Sequence, residues 1–362
     1  MSQKKPGDAS RADATARSAK EHGVLYIGID LGTSRTCVAA SNGVRKVVAS
    51  YVGYPKDVVS RKLLRKDVLF GDEAVAKRLS LNLFRPLQHG VLKYTGNGTP
   101  EDEGNLRAAR DLMGQAIREA MPRKDELIYA VIGAPAQASI QSKNAILDVA
   151  RDSVDSVMLC SEPFAVAYGQ EMLEDVLVID IGAGTVDLCR MHGTMPEDGD
   201  QITLETAGDY VDQKLTELMH AAHPRAQFSE RMIKEIKERH STVAESTPPI
   251  VVELPVRGKP TRFDITAQIH EACRSIVPPI VQGLGELVAT FDPEFQERLK
   301  NRVLLAGGGS QIKALDVAIE LEMHDRLGGG RVVRIEEPLY GGANGALKIA
   351  HDMPEEFWEK LK

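Results

Sequence analysis

Short apolar runs bounded by turn residues alternate along this chain with longer segments in which apolar side chains recur every three or four positions, the marks of buried strands and amphipathic helices. The first run is Ile27-Gly28-Ile29-Asp30-Leu31, and strand-like runs follow around Val38-Ala39-Ala40 and Lys46-Val47-Val48-Ala49-Ser50. Leu106, Ala109, Met113, Ile117 and Ala120 fall on one helical face that Pro122 closes. Ile128-Tyr129-Ala130-Val131-Ile132-Gly133 reads as a buried strand, followed by a helix over about 139–154 and a short strand at 156–159. Ser161 is placed as the N-cap of a helix beginning Glu162-Pro163-Phe164. The second half repeats this grammar, with strands at 176–180 and 186–190, helices near 210–222 and 229–240, and a strand pair around Ile250–Leu254 and Thr261–Ile265. Ile269, Cys273, Ile276, Ile280, Leu284, Leu287 and Phe291 predict one long helix that Pro278-Pro279 kinks or splits. Val303-Leu304-Leu305-Ala306 is a buried strand running into Gly307-Gly308-Gly309-Ser310, with helix expected from Gln311. The alternation predicts an α/β fold with mostly covered sheets. Residues 1–22 show no apolar period and read as a disordered tail carrying no membrane anchor.

One strand-and-turn pattern occurs twice, 150 residues apart: Ile27-Gly28-Ile29-Asp30-Leu31-Gly32-Thr33-Ser34 and Leu177-Val178-Ile179-Asp180-Ile181-Gly182-Ala183-Gly184-Thr185. Asp30 falls on Asp180 and Gly32 on Gly182. An acid at a strand end, followed by a turn that Gly allows to tighten, presents backbone N–H groups as an anion nest beside a carboxylate able to hold hydrated Mg²⁺. Two such turns facing each other would grip a polyphosphate from both sides. The alternative is two unrelated hairpins that share Asp and Gly because turns favour them.

Length and charge sharpen this picture. A chain of 362 residues exceeds what one core usually serves, so two domains with a cleft between them are expected. The boundaries implied are a tail 1–22, a first domain 23–165 with a small insertion at about 51–90, a second domain 166–350 with an insertion at about 206–268, and a C-terminal segment 351–362. A net charge of −7 without a dominant basic stretch argues against a nucleic-acid surface, so a phosphate ligand must be gripped locally. Cys37, Cys160, Cys189 and Cys273 are scattered without CxxC spacing, which favours reduced thiols over disulfides or a zinc site. No apolar run approaches the roughly 18 residues of a spanning helix, and no signal-peptide segment is evident, so a cytoplasmic location is expected.

The order of five elements resembles the actin, Hsp70 and sugar-kinase superfamily over roughly residues 24–350: the Asp30 hairpin, the Glu162 segment, the Asp180 hairpin, the Lys237-Glu238 helix and the Gly307-Gly308-Gly309 turn. Arg85-Pro86-Leu87-Gln88-His89-Gly90-Val91 and Ser161-Glu162-Pro163-Phe164 resemble bacterial actins of the MreB type. Val52-Gly53-Tyr54-Pro55-Lys56-Asp57-Val58 and Met353-Pro354-Glu355-Glu356-Phe357-Trp358 look closer still to the magnetosome-associated MamK type. The resemblance implies a duplicated actin/Hsp70-like ATPase fold with an interdomain nucleotide cleft. It implies that Gly32, Thr33 and Ser34 wrap the β-phosphate of ATP or ADP and that Gly182, Ala183, Gly184 and Thr185 wrap its other side. Glu162 would orient and partly deprotonate the attacking water, with Thr185 a second contact to it. Asp30 and Asp180 would hold Mg²⁺ through water, and Lys237 and Glu238 would contact ribose and adenine. Gly208 and Asp209 would lie near the ribose, and Gly307, Gly308 and Gly309 would let a helix N-terminus approach the nucleotide. Cys37 stands about where eukaryotic actin has a phosphate-binding Lys, and Arg35, earlier in the turn, is left either on phosphate or in solvent.

Composition supplies plainer readings for several of these positions. Glu162 is also a first-turn acid suited to the helix dipole, and Met232–Arg239 is also a charged solvated face. His220 and His223 read as surface or capping histidines rather than metal ligands, and Gly328-Gly329-Gly330 as a loop. There is no GxxxxGK(S/T) P-loop, and Gly308-Gly309-Ser310 lacks the closing Gly of a nucleophile elbow because position 312 is Ile. Phe357-Trp358 is either a partner anchor or a terminal segment packed on its own domain.

The function that the resemblance implies is a cytoplasmic, filament-forming ATPase. ATP would favour a closed, polymerising conformation and hydrolysis would weaken subunit contacts; a head-to-tail contact that does not close gives an open polymer. Paired protofilaments that organise magnetosome chains, with magnetosome-associated proteins as partners, complete the expectation. Alternatives are an MreB-type cell-shape filament, although the polar tail offers no membrane-binding segment, and a small-molecule kinase, which would need an acceptor pocket with its own base. A chaperone would need a peptide-binding domain, and too few residues follow the last core helix to build one.

Overall fold

Each of the two acid-ended turns sits on the central strand of a five-stranded sheet. The computed structural model describes residues 23–244 and 248–361, so the tail expected over 1–22 lies outside them. The first sheet holds β1 (Val24–Leu31), β2 (Arg35–Ala40), β3 (Arg45–Ala49), β4 (Leu127–Ala134) and β5 (Ser156–Ser161) in the order β5-β4-β1-β2-β3. The second holds β6 (Val176–Ile181), β7 (Val186–Met191), β8 (Gln201–Leu204), β9 (Val303–Ala306) and β10 (Val332–Arg334) in the order β8-β7-β6-β9-β10. The two orders superimpose strand for strand. In both, the central strand pairs antiparallel with the next through the turn and parallel with a later strand, so Asp30 lies opposite Gly133 and Asp180 opposite Ala306. The duplication seen in the residues is therefore a duplication of topology. The third strand of the second sheet, β8, is not foreseen from its mixed composition.

Alternation along the central strands assigns their faces. Leu25, Ile27, Ile29 and Leu31 point to one side of the first sheet, where they pack with α1 (Pro100–Glu119) and α2 (Ile140–Arg151). The opposite face receives α3 (Glu162–Gly169). In the second half, α4 (Gly208–Ala222) and α5 (Glu230–His240) precede a hairpin, Val251–Val256 with Lys259–Asp264, and share one core with the outer face of the second sheet. The long helix predicted through Pro278-Pro279 is two helices, α6 (Thr266–Arg274) and α7 (Val277–Ala289). The break precedes the prolines, which occupy the first turn of α7, where their missing N–H groups have no helical partner to lose. Helix does not run from Gln311: Gly308–Gln311 is a 3₁₀ turn, Ala314 adopts φ 63°, and α8 (Leu315–Leu327) starts there. Ser161 holds the N-cap position of α3, but its hydroxyl makes no capping bond.

The last core helix, α9 (Gly341–Asp352), lies with α3 between the two sheets. That cluster joins Tyr129 and Val131 of β4 to Val176 and Val178 of β6 and to Ala306 of β9. A Cβ at Gly345 would stand 1.7 Å from the Ala165 carbonyl oxygen, and one at Gly28 would stand 2.1 Å from the Ala343 carbonyl oxygen. The glycines thus set how closely α9 approaches both α3 and β1. Trp358 is fully buried and stacks on Tyr129 at 5.0 Å, while Phe357 is half exposed, so the terminal tryptophan packs on its own chain. The small insertion after β3 has its own three-stranded sheet and its own cluster of Leu69, Ala74 and Leu81.

Candidate functional site

The two acid-ended turns meet. A Cβ at Gly184 would lie 2.5 Å from Thr33 Oγ1 and 2.8 Å from His89 Cα, so the second turn abuts the first and the Arg85–Gly90 segment at the same point. Thr33 Oγ1 accepts from the Gly90 N–H at 2.8 Å, Ser50 Oγ donates to the Gly32 carbonyl at 2.7 Å, and the Gly182 N–H closes its own turn on the Thr185 carbonyl at 2.9 Å. Between them opens a cavity of about 470 Å³. Its wall contains every site residue singled out from the sequence: Asp30, Gly32, Thr33, Ser34, Glu162, Asp180, Gly182, Ala183, Gly184, Thr185, Gly208, Asp209, Lys237, Glu238, Gly307, Gly308 and Gly309.

Backbone geometry explains the glycines that need to be glycine. Gly307 adopts φ 78°, and a Cβ there would come within 2.3 Å of Asp180 Oδ1, so the chain leaving β9 lies directly against that carboxylate. The chain then enters the 3₁₀ turn rather than the N-terminus of a long helix, so the helix end expected beside the nucleotide is a single tight turn. Gly133 leaves room for Glu162, whose Cγ would be 3.2 Å from an added Cβ. Gly208 and Asp209 donate their N–H groups to the Gly182 and Ala183 carbonyls at 3.2 and 2.7 Å, which fixes the start of α4 on the second turn.

The chemistry concentrates in four acids. Glu162, Asp180 and Asp187 are all buried, and Asp30 faces them. Burial, and after it the Asp187 carboxylate, push Asp30 up to about 7. Burial and then the charges of Asp30, Asp187 and Asp180 hold Glu162 well above the usual carboxylate range, and burial with Asp30 and Asp187 does the same for Asp180. Asp187 is raised by burial against the bonds it accepts from Thr203, the Ala136 N–H and Thr185. Among the described residues, Glu162 Oε1 and Asp187 Oδ2 are buried without a hydrogen-bond partner. Carboxylate oxygens so placed favour positive charge nearby.

Charged contacts line the cavity, and those of Arg35, Arg85 and Lys234 bridge the halves. Arg35 is neither free in solvent nor alone in the turn: its guanidinium donates to Glu238 Oε1 at 2.9 Å. Arg85 donates to the Asp209 carboxylate at 2.8 Å and to the Thr33 carbonyl at 3.0 Å. Lys237 donates to the Gly208 carbonyl at 2.8 Å and pairs with Asp212 at 2.8 Å. Lys234 Nζ donates to Ser34 Oγ at 2.5 Å.

Sequence reasoning missed Asp187, Lys234 and the pairing of Arg85. Asp187 left a signal, the one acid on a mostly apolar strand that also carries Arg190; its side chain accepts from the Ala136 N–H at 3.0 Å and Thr203 Oγ1 at 2.6 Å. The segments holding Lys234 and Arg85 were singled out, but their pairings left no signal, because the partners are distant along the chain. His220 and His223 pack against the rings of Phe228 and Phe263 respectively, away from the cavity.

Comparison with known proteins adds an independent line. The sequence profile of the family described as "MreB/Mbl protein" matches residues 25–356. "Actin-like protein MamK" of Paramagnetospirillum magneticum (strain ATCC 700264 / AMB-1) is 37% identical over 337 residues, covering 93% of this chain and 95% of the relative. Among solved structures, a "MamK double helical filament" superimposes with a TM-score of 0.87 at 36% identity, covering 92% of this chain and 100% of the other. A non-polymerising MamK mutant bound to AMPPNP superimposes with a TM-score of 0.68 at 37% identity over 91% of this chain and 99% of the other.

Proposed function

Since the chain belongs to the MreB/Mbl family of bacterial actin-like proteins, we propose that it is a cytoskeletal ATPase that polymerises head to tail with ATP in its cleft and loosens on hydrolysis. The observation that carries this reading is the meeting of two equivalent phosphate-type turns across one cavity walled by buried carboxylates. The relatives supply the rest by similarity: one structure is a double helical filament and another holds AMPPNP. Paired protofilaments that position magnetosome chains, through magnetosome-associated partners, are the finer form of the proposal.

Each side chain then has a task. Backbone N–H groups of Gly32–Ser34 and of Ala183 and Gly184 surround the phosphates, whose spread charge suits neutral donors in a dry cleft. Glu162 orients the attacking water through its unpartnered oxygen and takes up its proton, with Thr185 beside it. Lys237 and Glu238 face the adenosine end, where Lys237 is already braced by Gly208 and Asp212.

The donor set fits Mg²⁺, a hard cation that prefers oxygen and keeps much of its water. Asp30 and Asp180, both on the cavity wall, would hold it through its water shell. Bound there, Mg²⁺ would neutralise phosphate charge.

Sedimentation and electron microscopy of the purified protein test the proposal. Pelletable, polar filaments are expected above a threshold concentration with ATP or AMPPNP, with ADP raising that threshold, because a nucleotide shifts assembly by its differential affinity for the polymerising and free conformations. A folded, ATP-hydrolysing protein that stays monomeric in every nucleotide state would defeat the filament reading.

A further inference from the structure

Lys234 lies on α5 one residue short of a full turn before Lys237, where a sequence pattern makes it one more charge on a solvated face. The fold places it elsewhere. Its ammonium reaches from the second half across the cavity to Ser34 Oγ, at 2.5 Å, in the first half's turn. The other cations around the cavity are matched: Lys237 by Asp212, Arg35 by Glu238 and Arg85 by Asp209. No ion pair to Lys234 is found among the described residues; Glu238, Asp209 and Asp212 act on it from farther off, and Arg85 opposes them. Loss of water around it, and then Arg85, depress its pKa below the usual lysine value. The first turn also lacks a cation of its own. Cys37, in the same wall, is a buried thiol whose pKa burial pushes up, so it stays neutral, and Arg35 is occupied by Glu238.

A partly buried ammonium aimed at a phosphate-type turn, without a carboxylate of its own, is a charge that an anion completes. We propose that Lys234 is the cation of the phosphate cradle, binding the nucleotide's phosphate chain at the Gly32–Ser34 turn from the opposite wall of the cleft. The proposal rests on the cavity being a nucleotide site. It adds that the phosphate chain joins the two halves directly, held by the turn on one side and by Lys234 on the other. Affinity should therefore depend on the number of phosphates through this one residue.

Calorimetric titration of the full-length wild type, Lys234→Ala and Lys234→Arg with ADP and with AMP tests this. The preference for ADP over AMP should fall roughly 10- to 100-fold in Lys234→Ala, the range of a charge-assisted bond, and should be largely kept in Lys234→Arg. Taking the ratio of two ligands on one variant cancels any general weakening of the fold. An undiminished preference in Lys234→Ala, beside a wild type that shows one, would overturn the assignment and leave the nucleotide site standing. Equal loss in Lys234→Ala and Lys234→Arg would also overturn it, since packing rather than charge would then be at work. A wild type that binds neither nucleotide would remove the site reading and this inference together.

Discussion

Glu162 is an acid whose burial, and after it the charges of Asp30, Asp187 and Asp180, keep its carboxyl well above the usual range, and one of its oxygens has no hydrogen-bond partner among the described residues. Burying that oxygen costs stability, and the same oxygen is the one a reacting water can meet. Glu162→Gln is expected to leave ADP affinity within a few fold of wild type and to slow phosphate release in single turnover by roughly 10²–10⁴-fold. A second acid argues stability rather than chemistry. Asp200 is buried against the equally buried Arg190, which also reaches the Leu287 carbonyl at 2.6 Å. Burial opposes the Asp200 charge, but bonds from the Glu197 N–H, Arg190 and His192 outweigh it and hold its pKa below the ordinary value. A depressed carboxyl contributes stability that is present above its unfolded pKa and is lost as pH falls through the folded one. Asp200→Ala, which strands Arg190, should lower unfolding free energy in urea by about 3 kcal/mol at pH 7. The gap to wild type should narrow below about pH 4, where the unfolded-state carboxyl titrates.

At the scale of elements, the contact between α3 and α9 decides where Glu162 stands. Gly169 and Gly345 face one another, with an added Cβ at Gly169 falling 2.9 Å from Gly345 Cα, and the Ala165 carbonyl fills the space a side chain at Gly345 would need. Both backbones are helical, so neither can yield without moving its whole element. Gly345→Ala is therefore expected to destabilise by about 1–3 kcal/mol, the usual range for overpacking, despite Ala's better helix propensity. Because Glu162 opens α3, phosphate release should slow in the same variant. Denaturant unfolding and single-turnover assays read the two effects separately, and an unchanged turnover rate would show that α3 does not need α9 to hold Glu162 in place.

Across the whole molecule, the halves are tied at several heights. The Ala136 N–H reaches Asp187, Gln137 donates to the Gln201 carbonyl at 2.9 Å, and Arg85 grips Asp209 at the rim. The rim pair is partly exposed, so it is worth about 0.5–1 kcal/mol, and Arg85→Ala should weaken ADP binding by roughly two- to fivefold. Its ADP-over-AMP preference should persist, in contrast to the loss expected at Lys234. A ligand held between the halves also stabilises the folded chain by mass action: ADP at about 100 times its Kd should add roughly 2.7 kcal/mol to unfolding free energy. A thermal midpoint unmoved by saturating ADP would contradict binding in the cleft.

The linear chain determined whatever depends on near neighbours. Periodicity placed α1, β4 and β6 because their faces are set by residues a few positions apart, and the Asp30 and Asp180 turns were legible because an acid and a glycine at fixed spacing define a turn locally. Their repetition at equal spacing from strand ends already implied a duplicated sheet, and the two strand orders carry it. Tertiary structure decided whatever depends on distance along the chain. It split the predicted long helix ahead of its prolines and set the last core helix, α9, against both α3 and β1, a closeness that glycines at 345 and 28 allow. It also raised the pKa of Asp30 to about 7, since burial, and after it the Asp187 charge, act on that carboxyl only once the fold has closed around it. Arg35 meets Glu238 and Lys234 meets Ser34 across some 200 residues. No local pattern encodes such pairs, because the chain brings them into contact only when both sheets, and the cleft between them, are complete.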